Sequence, residues 1–316
     1  MMAPNRIDVH RHYVPDVYKE AIIRSGGDPS GWFIPEWSPE FDDETNKRYG
    51  ISTSIISITA PGACILKDPK ESADLARKVN KIAAKLRDDN PSKYGFLAAL
   101  PHLHDTDLAL AEITYAYDVL KADGIMLFTR YGEGHQYLGD AAFKPIWAEL
   151  NRRHAVILVH PTHPVDTAQV SKLPQPIIRY PMETTTAALD MLHNKTVHNN
   201  PNCKIILSHA GGTLPFLLSR PASILTKTEE ELEAFWDDAR NFYYDVAVAG
   251  SENVLKVMET FAKPGHLLYG SDAPYANDAI ITFHTTRLDK YKFADSKLAE
   301  QINRTNALEL FPRLKG

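Results

Sequence analysis

Eight short apolar or β-branched runs, separated by longer segments of which several carry helical spacing, constrain the fold of this chain more than any other feature. They are RIDVH at 6–10, ISTSIISIT at 51–59, YGFLAAL at 94–100, GIMLFT at 124–129, AVILVH at 155–160, CKIILSH at 203–209, FYYDVAV at 242–248 and HLLYGSD at 266–272. Strands this apolar are covered on both faces, and strands joined by helices lie parallel. The expectation is a (β/α)8 barrel of TIM type, for which 316 residues is an acceptable single-domain length. Residues 71–89 and 105–122 supply two of the intervening helices, the second opening on the cap-forming Asp105 and Thr106.

One domain over 1–316 is expected, with 13–50 as an insertion after the first strand. That insertion carries Gly26, Gly27, Gly31, Pro29, Pro35 and Pro39, which make it a poor helix. It also carries Trp32, Phe33 and Trp37, which a solvated linker has no reason to hold. A folded lid or a structural cap on the barrel rim is expected.

With 44% hydrophobic and 24% charged residues the composition is that of a globular protein, and a net charge of -5 supplies no basic field for nucleic acid. Two cysteines, Cys64 and Cys203, make no disulfide framework. No apolar run approaches the roughly 18–20 residues of a membrane span, and the N-terminus lacks a secretory signal's apolar stretch. A cytoplasmic protein acting on a small molecule is expected.

His10 and His12 form an H-x-H at the first strand, where the two-residue period turns both imidazoles to one face and Arg11 to the other. His160, His209 and Asp272 end the fifth, sixth and eighth runs. Barrel enzymes place their chemistry at the C-terminal ends of strands, so closure gathers these five around one axis. Imidazole and carboxylate ligands suit a divalent ion, Zn²⁺ first, with Mn²⁺ or Fe²⁺ as alternatives. A second H-x-H, His102 and His104, follows Pro101 before a helix and reads as a polar loop, with His102 a candidate for the mouth.

The motifs DVHRH at 8–12, VHP at 159–161, SHAGGTLP at 208–215 and YGSDAPY at 269–275 resemble the amidohydrolase superfamily. Within it they resemble the decarboxylases related to 2-amino-3-carboxymuconate-6-semialdehyde decarboxylase, over nearly the whole chain. The resemblance implies one metal held by His10, His12, His160 and Asp272, with His209 acting beside it and Asp272 as the other candidate for delivering the proton. It implies that Arg220, eleven residues beyond His209, binds substrate carboxylate, in its own or a partner subunit's site, which makes a homodimer or higher oligomer attractive. GIMLFTR at 124–130 lacks the lysine of binuclear relatives, so a single ion is implied.

SITAPGA at 57–63 and YLGDAAFKPIWAEL at 137–150 are most similar to the fungal 6-methylsalicylate decarboxylase group, implying loss of CO₂ from an aromatic ortho-hydroxy acid to leave m-cresol. Many resorcylate-type members carry Glu or Ala where His10 stands, a departure that weakens transfer of their substrate or metal preference. Trp32, Phe128 and Tyr275 are candidate ring-stacking neighbours of a small aromatic carboxylate. The rival readings are hydrolysis of a lactone or amide by metal-activated water, and a non-catalytic binding barrel.

Overall fold

The computed structural model describes residues 5–166 and 172–315. Each of the eight runs contributes a strand: β1 (Arg6–His12), β2 (Ile51–Ser57), β3 (Tyr94–Ala98), β4 (Gly124–Phe128), β5 (Val156–His160), β6 (Lys204–Leu207), β7 (Tyr243–Asp245) and β8 (Leu267–Leu268). They pair in parallel and in chain order from β1 to β8. Backbone hydrogen bonds close the ring: Val9 N donates to Tyr269 O at 3.0 Å, Asp272 N to His10 O at 2.9 Å and His12 N to Ala273 O at 2.8 Å. The result is the expected (β/α)8 barrel.

The sixth and eighth runs extend past their strands to end on polar groups. His209 and Asp272 both adopt left-handed backbone, at φ 55° and 61°. Such conformations are costly for non-glycine residues and concentrate at functional sites. Close approach is also built in by glycine: a Cβ on Gly270 would stand 2.8 Å from that of His10, and one on Gly212 would stand 2.1 Å from Pro181 O.

The insertion after β1 corrects the expectation of poor helicity. Helices Asp16–Arg24 and Pro39–Tyr49 flank an irregular stretch. Most of the glycine and proline lies between them, whereas Pro39 occupies the first helical turn, where its missing N–H costs nothing. Ser38 caps that helix through Phe41 N at 3.2 Å, and Gly50 ends it in left-handed conformation.

As the alternation along β1 requires, Arg11 points away from His10 and His12. It is fully buried and donates from Nε to Asp42 Oδ1 at 2.9 Å, joining β1 to the inserted helix Pro39–Tyr49 through a compensated charge. After β4, a short antiparallel ribbon pairs Arg130–Tyr131 with Gln136–Tyr137, an element absent from the sequence reading. Cys64 and Cys203 are free, and no helix among the described residues is long and apolar enough to cross a membrane.

Candidate active site

His10 and His12 on β1, His160 at the end of β5 and Asp272 beyond β8 each bring one ligand atom into a cluster whose members lie within 4.8 Å of one another. His10 Nε2 and His12 Nε2 face each other at 3.1 Å, and Asp272 Oδ1 lies 3.2 Å from His12 Nε2 and 3.5 Å from His10 Nε2.

The other ring nitrogens explain why this set suits a cation. His10 Nδ1 meets Asp245 Oδ2 at 2.9 Å, His12 Nδ1 meets Ser57 O at 3.3 Å and His160 Nδ1 meets Pro161 O at 2.7 Å. All three partners are acceptors, so each Nδ1 carries the proton and each Nε2 presents a lone pair. Three lone pairs and a carboxylate oxygen converging on one point repel one another until a positive charge stands between them. The residues therefore fit a single divalent ion.

Burial lowers the pKa of His12 and takes that of His160 well below the ordinary range, keeping both rings neutral. Burial acts the same way on His10, but the carboxylates of Asp245, Asp272 and Asp8 override it and push its pKa up to about 9. At that ring a metal ion and a proton compete for one lone pair. Burial would raise the Asp272 carboxyl, yet hydrogen bonds with His12 and His209 hold it well below the usual carboxylate range.

Asp245, at the end of β7, is a residue the sequence reading missed. It is fully buried; beyond holding His10, its Oδ1 accepts from the amides of His209 and Ala247, both at 3.0 Å. His209 is thereby fixed with Nε2 3.5 Å from Asp272 Oδ2, while its Nδ1 is buried without a hydrogen-bond partner. Asp272 thus turns one oxygen to the ligand cluster and the other to His209. The only sequence signal for Asp245 was an acid inside the apolar run FYYDVAV.

A cavity of about 310 Å³ opens over this cluster. His160, His209 and Asp272 lie at its polar end, and Trp32 and Tyr275 line it. Trp32 Nε1 donates to Tyr275 O at 3.4 Å, and the Tyr275 ring meets His12 edge-on at 5.5 Å. Tyr180, which the sequence did not single out, adds another aromatic wall against His160 at 6.2 Å. Phe128 stands apart from this set: its ring meets His160 edge-on at 6.5 Å but lines an adjoining cleft, together with His102 and His104.

Arg220 is not brought to the cavity of its own chain. It lies exposed on the short helix Ser219–Leu225, among the exposed side chains of Phe216, Leu217 and Ile224. Among the described residues, no lysine or arginine lines the cavity.

The amidohydrolase family model matches residues 7–313. The chain belongs to the amidohydrolase family. Within the family it is 49% identical to a 6-methylsalicylic acid decarboxylase of Penicillium expansum, over 98% of this chain and 97% of that protein. A crystal structure of an amidohydrolase II superposes with a TM-score of 0.89 at 30% identity, covering 98% of this chain and all of the other. The same fold appears, at TM-score 0.82 and 20% identity, in a Polaromonas dihydroxybenzoic acid decarboxylase with bound manganese and 2-nitroresorcinol; 98% of this amidohydrolase and 97% of that chain are covered.

Proposed function

We propose that this protein is a metal-dependent, non-oxidative decarboxylase of an aromatic ortho-hydroxy acid, with 6-methylsalicylate as substrate and m-cresol and CO₂ as products. The observation that carries the reaction type is the placement, at one end of an aromatic cavity, of four converging ligand atoms beside His209 and its partner Asp272. The substrate rests on the likeness to the Penicillium expansum enzyme. Ile177, Val248, Ala276 and Ile280 give the cavity the apolar wall that a ring methyl group requires.

His10, His12, His160 and Asp272 hold one divalent ion, zinc or manganese. Bound there, that ion would supply Lewis-acid stabilisation of the substrate's negative charge. Trp32, Tyr180 and Tyr275 orient the ring. The His209–Asp272 pair holds the proton that passes to the ring carbon bearing the carboxylate; the bond to CO₂ then breaks and its electron pair returns to the ring.

That no lysine or arginine among the described residues lines the cavity supports a second part of the proposal. Arg220 serves the site of a partner subunit in a homodimer, docked through the apolar patch around Phe216 and Ile224. Segment 13–50 acts as the lid through Trp32, its edge tied down where Gln175 N donates to Ser30 O at 3.1 Å. The free thiols of Cys64 and Cys203 suit a reducing cytoplasm.

The test is to incubate the metal-loaded protein with a panel of hydroxybenzoates and measure CO₂ and phenol together. Equimolar CO₂ and m-cresol from 6-methylsalicylate support the reading. Hydrolysis of a lactone or amide without CO₂ release overturns it.

A further inference from the structure

A cleft of about 760 Å³ adjoins the catalytic cavity, with Phe128 in its wall. Arg130, the second residue past β4, lines this cleft and is only 6% exposed. Its Nε donates to His163 O at 2.9 Å, and its Nη1 donates to Gly132 O at 2.9 Å and Gly134 O at 3.2 Å. Carbonyls satisfy donors but carry no charge. Among the described residues no carboxylate pairs with this guanidinium, and Nη2 donates to none of them. Buried cations are ordinarily paired, because an uncompensated charge is costly to desolvate.

Glu183, which does not line the cleft, feels Arg130 electrostatically without pairing with it, and the carboxylates that do line the cleft leave the rest of that charge standing. Glu133 is engaged by Lys67 at 3.2 Å on the exposed rim. His163 is held neutral at physiological pH, burial and the neighbouring Arg130 drawing its pKa down to about 4. Asp105, on the same wall, is the remaining carboxylate and favours a singly charged guest over a doubly charged one.

We infer that the cleft is an accessory anion site, distinct from the metal centre, in which Arg130 Nη2 takes a carboxylate-type monoanion. An aryl carboxylate and bicarbonate share this chemistry, and the first two arms of the experiment separate them. The inference does not depend on the proposed decarboxylation, since binding is measured without turnover.

Sodium benzoate and sodium bicarbonate are each titrated calorimetrically into metal-loaded wild type, into His160→Ala, which removes the metal-site route, and into His160→Ala combined with Arg130→Met. The expected result is one binding event that survives His160→Ala and weakens at least tenfold when Arg130 is also replaced. Binding by one anion only identifies the guest. Unchanged affinity without Arg130, or loss of all binding in His160→Ala, overturns the assignment. Arg130 also ties down three carbonyls, so a second measurement leaves it in place: wild-type crystals soaked in 4-bromobenzoate should show a bromine anomalous peak in this cleft. A bromine peak confined to the metal cavity, or none at all, contradicts the site.

Discussion

Asp245 Oδ2 stands 2.9 Å from His10 Nδ1, both side chains fully buried, and so fixes which nitrogen of that ring faces the metal cluster. The same carboxylate holds the backbone of His209, which couples His10 of the cluster to His209 through one residue. Asp245→Asn keeps the size and removes the charge. Such outer partners of metal ligands ordinarily contribute 10–100-fold in affinity or activity. We expect metal affinity to fall by about that factor with the far-ultraviolet dichroism unchanged, measured by competition with a chelating dye. Wild-type affinity would show that the carboxylate merely packs.

His160→Ala removes one of four converging ligands from a rigid strand end. The variant should fold, lose stoichiometric metal and lose activity by at least a thousandfold. Thermal unfolding with and without metal is the check: added metal raises the midpoint of the wild type through binding linkage and leaves that of the variant unmoved. A retained, tightly held ion would contradict the ligand assignment.

Arg220→Ala should raise KM at least tenfold with a smaller effect on kcat. Subunit mixing distinguishes the two places this side chain can act. If Arg220 reaches the partner's site, mixed dimers of Arg220→Ala and His160→Ala contain one site with both parts intact, so activity rises after mixing and re-equilibration. If it acts within its own chain, no combination regains activity, and the dimer proposal loses its functional basis.

Helix Lys144–Arg152, which precedes β5, contributes a pH limb to stability. The guanidinium of Arg152, with that of Arg153, draws the Glu149 pKa down to about 2, against burial that opposes the shift. A depressed carboxyl stabilises the fold fully above its unfolded value and loses that contribution as pH falls from about 4.5 toward 2. Glu149→Gln should therefore cost about 1 kcal/mol at pH 7, screening at this surface position keeping the figure small, and almost nothing near pH 2. Urea unfolding at the two pH values measures the difference.

The barrel and its ligand cluster were legible because both follow from local patterns. Period-two alternation aimed His10 and His12 together, and His160 and Asp272 closed apolar runs whose ends barrel closure must gather. Asp245 was not legible, because its meaning lies in a contact with His10 across 235 residues of sequence. Tyr180 escaped for a related reason: it sits on helix Gln175–His193, where no strand-end rule applies. Glycine and proline averaged over 13–50 predict poor helicity, whereas in the fold most of them lie between two well-formed helices. Phe128 ends β4, one residue short of its run, and its ring lines the adjoining cleft, a choice of rotamer that alternation alone does not determine.

The most direct measurement is turnover of 6-methylsalicylate in D₂O by protein reloaded with zinc or manganese, with the products followed by mass spectrometry and proton NMR. The account predicts one CO₂ for each m-cresol, a single deuterium at the ring carbon between the hydroxyl and methyl positions, and no product from His160→Ala. Absence of CO₂, deuterium at another ring position, or equal turnover by His160→Ala would contradict it.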